Sequence, residues 1–308
     1  MRLVIPPASS IVVTLPGGYL DQTGAVHRGV EVAPLTGGEE EFVASSQEQG
    51  AAVVTWLISR CVRGIGGVAM TEGLARQLLV ADRLYLLLEL GEATFGEHVH
   101  VTVLCPNTDC AAKMDVDFST RDVPIVESEH GARVYQLTLS PLAAFAGADG
   151  EPCREIAFRL PNGGDQEALA SLLAHDDEAA AAEALLARCV VSMGPAQNPG
   201  VEGVRPLSPL ARMEIEAQME AAAPQVQMIM EGACPECQGQ FTAPFDIQSF
   251  FFRELRSSLR QLYREVHYLA YHYHWSEREI MEMPRQKRRH YIEVLSEEIE
   301  RLNDAALR

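Results

Sequence analysis

Seven cysteines stand in the chain, and four of them form two pairs whose spacing suits a metal. Cys105 and Cys110 close the segment "CPNTDC", and Cys234 and Cys237 close "CPEC". Thiolates two to four residues apart on a tight turn supply two corners of a tetrahedral zinc site. Both pairs sit in one context: an apolar strand ("VTVL" or "QMIM"), a Cys-Pro turn and a second short strand. An apolar-Asp-apolar triplet then follows, Val116-Asp117-Phe118 or Phe245-Asp246-Ile247. The expectation is one structural zinc held by Cys105, Cys110, Cys234 and Cys237, a zinc-ribbon-like element built from two distant knuckles. Four thiolates leave no open position for water or substrate, so such an ion does no catalysis. Two other readings stay open: His98 and His100 joining Cys105 and Cys110 in a separate site, and two turns that hold no metal.

The remaining chemistry-bearing residues point less sharply. An odd cysteine count disfavours a disulfide framework. Cys61 and Cys189 lie in apolar helical contexts and read as packing residues, and Cys153 has no partner pattern. His272, His274 and Trp275 read as an aromatic cluster at a helix end. "PRQKRRH" at 284–290 is the one basic run, open to nucleic acid or, more simply, a solvated helix start or protein-binding face. "LPNGG" lacks the context of a phosphate loop. No Ser/His/Asp or Cys/His signature appears, so no enzyme is expected.

The elements that must position these residues define an α+β chain. Residues 10–33 alternate apolar and polar with turn signals at Pro16-Gly17-Gly18 and Asp21–Gly24, a small β-meander. Thr36 or Gly37 before three glutamates marks a helix start, because acid complements the helix dipole. A buried helix follows over "GAAVVTWLISRCV", and a long one begins at Thr71. After Gly96 the period becomes two: strand, cysteine turn, strand. Asp165 is placed to cap "QEALASLLA", and "EAAAAEALLARCVVSMG" reads as the next helix. Leu255, Leu259, Leu262, Val266 and Leu269, then Ile292, Leu295, Ile299 and Leu302, form seams at steps of four and three. "SERE" at 276–279 is a capping box. The expected division is 1–96 (β-meander and helices), 97–120 (first cysteine hairpin) and 121–206 (an inserted α+β region and linker). Residues 207–246 carry a helix and the second hairpin, and 247–308 a helical tail.

The totals exclude several classes. An apolar fraction of 47% over 308 residues permits sizeable cores. No apolar run reaches membrane-helix length, and the N-terminus makes a poor signal peptide, so a cytoplasmic protein without a membrane is expected. The formal net charge is −18, and residues 251–308 are nearly neutral, with eleven basic against ten acidic side chains. An acidic body disfavours nucleic acid, whose phosphates call for clustered cations.

Several stretches then fall in a familiar order: "VTLPGGYL", "VEVAPLTGGEEEFV", "LLVADRLYLLLELGEATFGEHVHVTVLCPNTDC", "IAFRLPNGGDQEAL", "ALLARCVVSMG", "CPECQGQFTAPFDIQSFFFREL" and "LYREVHYLAYHYHWSEREIMEMPRQKRRHYIEVL". Together they resemble the T4-type baseplate hub assembly proteins of contractile phage tails and related contractile injection systems. The resemblance implies a non-enzymatic assembly chaperone or minor structural component of the baseplate hub. Its partners would be hub, spike or tape-measure proteins, and it would sit in the cytoplasm or in a tail particle. A zinc-tied body would then hold a helical tail that presents apolar seams to those proteins. The expected contacts are Phe251, Phe252, Tyr263, Tyr271, Trp275, Arg288 and Arg289, against internal packing of the phenylalanines and Trp275. A zinc-ribbon nucleic-acid regulator using the basic C-terminal helices is the alternative. An enzyme would need a pocket with perturbed titratable groups.

Overall fold

The computed structural model describes residues 10–46, 50–128, 131–147, 150–175 and 177–306. Strands β1 (Ile11–Leu20) and β2 (Val26–Val32) pair antiparallel. Asp21 shapes their turn by accepting from the N–H groups of Thr23 and Ala25. Pro16-Gly17-Gly18 makes no turn: the strand continues through it with a register shift between Thr14 and Tyr19. Helices α1 (Gly37–Ser45) and α2 (Ala51–Cys61) follow, then β3 (Val62–Ile65), β4 (Val68–Ala69), α3 (Glu72–Gln77) and α4 (Val80–Phe95). The single helix expected from Thr71 is broken, because Leu78 and Leu79 take extended backbone. Leu79 forms a β-bridge with Asn162 there, a tertiary contact that overrides an unbroken apolar period. The hairpin β5 (His98–Leu104) and β6 (Lys113–Ser119) carries the first cysteine turn.

The short strand β7 (Ile125–Val126) leads to β8 (Tyr135–Thr138), the small pair β9 (Phe145–Ala146) and β10 (Pro152–Cys153), and β11 (Glu155–Phe158). Then come α5 (Gly163–Leu173), α6 (Glu178–Cys189), β12 (Val190–Met193), β13 (Ala196–Gln197), α7 (Gly200–Val204) and α8 (Pro209–Ala222). Three expectations change here. Asn162, not Asp165, is the cap of α5, with Asp165 closing the capping box from the third position. The helix expected through Met193 ends at Cys189, and its last residues form a strand. Residues 194–206 hold a strand and a helix where a linker was expected. Finally β14 (Gln225–Val226) pairs with β7, and β15 (Ile229–Ala233) with β16 (Gln240–Pro244) makes the second cysteine hairpin.

The chain repeats itself. The sheet β1-β2-β3-β4 has the same order and antiparallel sense as β8-β11-β12-β13. Pairs Val30↔Ile65 and Val32↔Val62 match Ile156↔Met193 and Phe158↔Val190, with a register shift at the same place. The bond from Ala33 N–H to Cys61 C=O recurs from Arg159 N–H to Cys189 C=O, both 2.8 Å. Each sheet is followed by a short helix, a long helix and a cysteine hairpin. The region expected as an insertion, 121–206, thus holds most of a second copy of the first unit, a copy that runs from β8 to α8.

Helices α9 (Ile247–Tyr273), α10 (Glu277–Met281) and α11 (Arg285–Ala306) complete the fold. Phe251, Phe252 and Leu255 of α9 close the core of the first unit, against Leu57, Ile58, Leu86 and Leu90 among others. Burying side chains of this size contributes about 1.5–3 kcal/mol each. A second core lies around Leu139, Ile156, Leu186, Val204 and Ile215. Smaller cores join the two hairpins to α4 and α9 and the tail helices to one another.

Candidate metal centre

Each cysteine hairpin is too short to build its own core. What the two share is a small cluster of Cys105, Met114, Cys234 and Phe241, packed against Val103, Cys110, Val116 and Ala243. The turns are alike: the second cysteine of each is followed by a residue of positive φ, Ala111 (45°) and Gln238 (58°). Cys105 N–H donates to Ala112 C=O, and Cys234 N–H to Gly239 C=O, so each first cysteine starts an equivalent closed loop.

The two loops bring four sulfurs within 4.8 Å of one another. Cys105 Sγ lies 3.8 Å from Cys237 Sγ, and Cys110 Sγ lies 3.8 Å from Cys234 Sγ. Both distances exceed a disulfide bond. They equal the edge of a tetrahedron with metal–sulfur bonds of about 2.3 Å, roughly 3.8 Å. Backbone N–H groups of Cys237 and Glu236 pull the Cys234 thiol down to about 7. Burial pushes Cys105 up to about 12. The donor set thus fits a soft, four-coordinate cation, and Cys105, Cys110, Cys234 and Cys237 would hold it. The histidine alternative is not formed: His98 pairs with Glu97 and His100 with Asp117, on the exposed face of the hairpin.

The expected contact residues divide. Phe251 (0% exposed), Phe252 (1%) and Arg288 (0%) lie in the interior and offer no surface to a partner. The phenylalanines serve the first core, because the amphipathic seam of α9 faces the body over its first turns. Trp275 is half-buried, stacked on Tyr273 at 4.6 Å. Tyr263 is exposed and donates to Glu41, Tyr271 is 69% exposed, and Arg289 is exposed beside Glu265 at 3.6 Å. Two arginines of the basic run are spent inward, while Arg289 and His290 stay exposed. Arg285 and Arg288 both bind Glu40, at 2.5 and 2.8 Å, and Arg288 also binds Glu265 at 3.0 Å. That burial takes two of the run's cations away from any polyanion and disfavours a nucleic-acid reading of the tail.

Two residues that sequence reasoning passed over prove central. Asp82 is fully buried and accepts from Gly17 N–H (2.7 Å) and Gly18 N–H (3.0 Å), fixing the irregular point of β1. A Cβ on Gly17 would meet Leu79 Cδ1 at 2.7 Å and Pro224 Cγ at 2.9 Å, so a larger residue there would have to displace both side chains. Arg83 donates to Thr55 Oγ1, the carbonyls of Ala51 and Ala75, and Gln166 Oε1. The signal was an adjacent Asp-Arg pair inside an apolar helix, where charges are rare unless partnered.

The fold and centre now stand beside what the chain is similar to. Its class is that of phage baseplate proteins: the model described as T4 bacteriophage base plate protein matches residues 13–195, more than half of the chain, and the chain belongs to that family. A second model, described as Family of unknown function (DUF6760), matches residues 257–307, from within α9 to the end of α11. No curated protein and no solved structure gives a significant match. Among the described residues no helix is long and apolar enough to cross a membrane.

Proposed function

We propose that the protein is a non-enzymatic assembly chaperone or minor structural component of the baseplate hub of a contractile tail. A structural zinc at Cys105, Cys110, Cys234 and Cys237 ties its two repeated units together. The family match over residues 13–195 carries the baseplate assignment. The four sulfurs, gathered from the ends of the two repeated units, support a scaffold and leave no coordination position for chemistry. Hub, spike or tape-measure proteins are its partners, met through surfaces that include Tyr263, Tyr271 and Arg289. Deleting the gene from a cell that makes the tail is expected to leave tail tubes or sheaths without complete baseplates in electron micrographs, restored by the gene in trans. Normal baseplates in the deletion strain would sink the reading.

A further inference from the structure

The duplication leaves one joint unfilled. Two helices begin with the same first turn: Thr36-Gly37-Gly38-Glu39-Glu40 at α1 and Asn162-Gly163-Gly164-Asp165-Gln166 at α5. Each is gripped by a helix–short helix–long helix unit from elsewhere in the chain. The unit α2-α3-α4 holds α5. Gly163 N–H donates to Leu78 C=O at 3.1 Å, Leu79 bridges Asn162, and Arg83, the fourth residue of α4, donates to Gln166 at 3.0 Å. The unit α9-α10-α11 holds α1 in the same way. Gly37 N–H donates to Met283 C=O at 3.2 Å, Pro284 bridges Thr36, and Arg288, the fourth residue of α11, donates to Glu40 at 2.8 Å. The glycines make room for the arginine: a Cβ on Gly163 would lie 2.4 Å from Arg83 Nη1.

The unit α6-α7-α8 repeats this design, and among the described residues no helix N-terminus donates to it or accepts from its arginine. After the short α7, Ser208 is extended, and Arg212 is the fourth residue of α8. Two of its three backbone bonds each have a counterpart in the other arginines; the third, from Nη2 to Arg205 C=O (3.0 Å), has none. Nε to Leu207 C=O (3.3 Å) matches Arg288 Nη1 to Met283 C=O (2.7 Å). Nη2 to Val204 C=O (3.5 Å) matches Arg83 Nη1 to Ala75 C=O (2.9 Å). Glu183 of α6, at 3.7 Å, stands in the place of Glu265 of α9. Among the described residues, what has no counterpart here is the gripped helix. The Arg212 side chain remains 29% exposed, against 0% for that of Arg288, and Arg83 is buried as well. Both Gly-Gly helices of the described chain are already held.

We propose that α6-α7-α8 is a third socket, which receives the N-terminus of a helix from another baseplate protein. That helix starts with two glycines or similarly small residues, an acid at its third position and Glu or Gln at its fourth. The acid closes a capping box, and the fourth side chain accepts from Arg212. The inference builds on the assembly role proposed above and is independent of the metal. The probe is a fluorescent peptide of residues 157–173 of this chain, titrated with the full-length protein and followed by anisotropy. Saturable binding is expected, abolished in a peptide carrying Gly163→Leu and Gly164→Leu and weakened about tenfold by Arg212→Ala in the protein. No saturable binding, or equal binding of the two peptides, overturns the proposal even if the Arg212 variant fails to fold. Unchanged affinity in a folded Arg212→Ala protein does the same. Arg212-dependent dimers of the chain in light scattering would place a second copy in the socket and also overturn it. Failure of the peptide leaves the deletion phenotype untouched, so the two readings fail separately.

Discussion

At the scale of single residues, the fold rests on polar side chains placed where their partners are backbone. Asp82 is the sharpest case. Burial pushes its carboxyl up to about 6, although the N–H groups of Gly17 and Gly18 favour the charged form. A carboxylate whose folded pKa lies above its unfolded value near 3.8 stabilises the fold most when protonated. Its contribution is complete below the unfolded value and is lost as pH rises through about 6, a swing of about 3 kcal/mol. Asp82→Asn keeps one acceptor for the glycine N–H groups and removes the titration. The melting temperature of the wild type, measured relative to Asp82→Asn, should therefore fall between pH 4 and pH 7. A constant difference across that range would show that the carboxyl does not titrate as its burial implies.

At the scale of elements, a buried ion cluster fastens the tail helices to the body. Glu40 of α1 accepts from Arg285 and Arg288 of α11, Arg288 also binds Glu265 of α9, and the Arg285 guanidinium lies 4.8 Å from the Phe95 ring centroid. Removing one acid leaves two buried cations short of a partner, which costs about 3–5 kcal/mol. Glu40→Ala should lose that much in chemical denaturation, with the first loss of signal in α9–α11. A loss under about 1 kcal/mol, the range of exposed pairs, would show that water reaches the cluster. The same element shows what the sequence could and could not disclose. The helices and their capping box at Ser276 were legible, because periodicity and cap residues are local signals. That Phe251, Phe252 and Arg288 face inward was not, since an amphipathic stripe looks alike whether body or partner covers it. The break at Leu78–Leu79 was hidden because both residues continue the apolar period and the cause is a strand contact from Asn162. The four cysteines were legible because ligand chemistry is written in their spacing. The duplication left traces in "TGGEEEF" against "NGGDQEA" and "SRCV" against "ARCV", but its short strands carry different apolar residues.

At the scale of the molecule, the duplication explains why two cysteine turns so far apart meet. Each unit ends in one hairpin, so each supplies half of a centre, and neither half is complete alone. The units are also joined without the centre, through Arg83 and the α2-α3-α4 grip on α5. These two joints predict different responses to metal loss. Purified protein should hold close to one zinc per chain by elemental analysis, and Cys105→Ser and Cys237→Ser should each lose it, because one ion needs both turns. Stripping the ion with a strong chelator should speed amide exchange in residues 98–119 and 229–244, which rest on two-stranded hairpins with a small core. Exchange around α2, α4 and α5 should stay slow, since Arg83 and the first core do not depend on the metal. Zinc kept by one cysteine variant would split the centre into separate half-sites. Fast exchange throughout the chain would mean that the metal, and not the helix grip, is what holds the two units together.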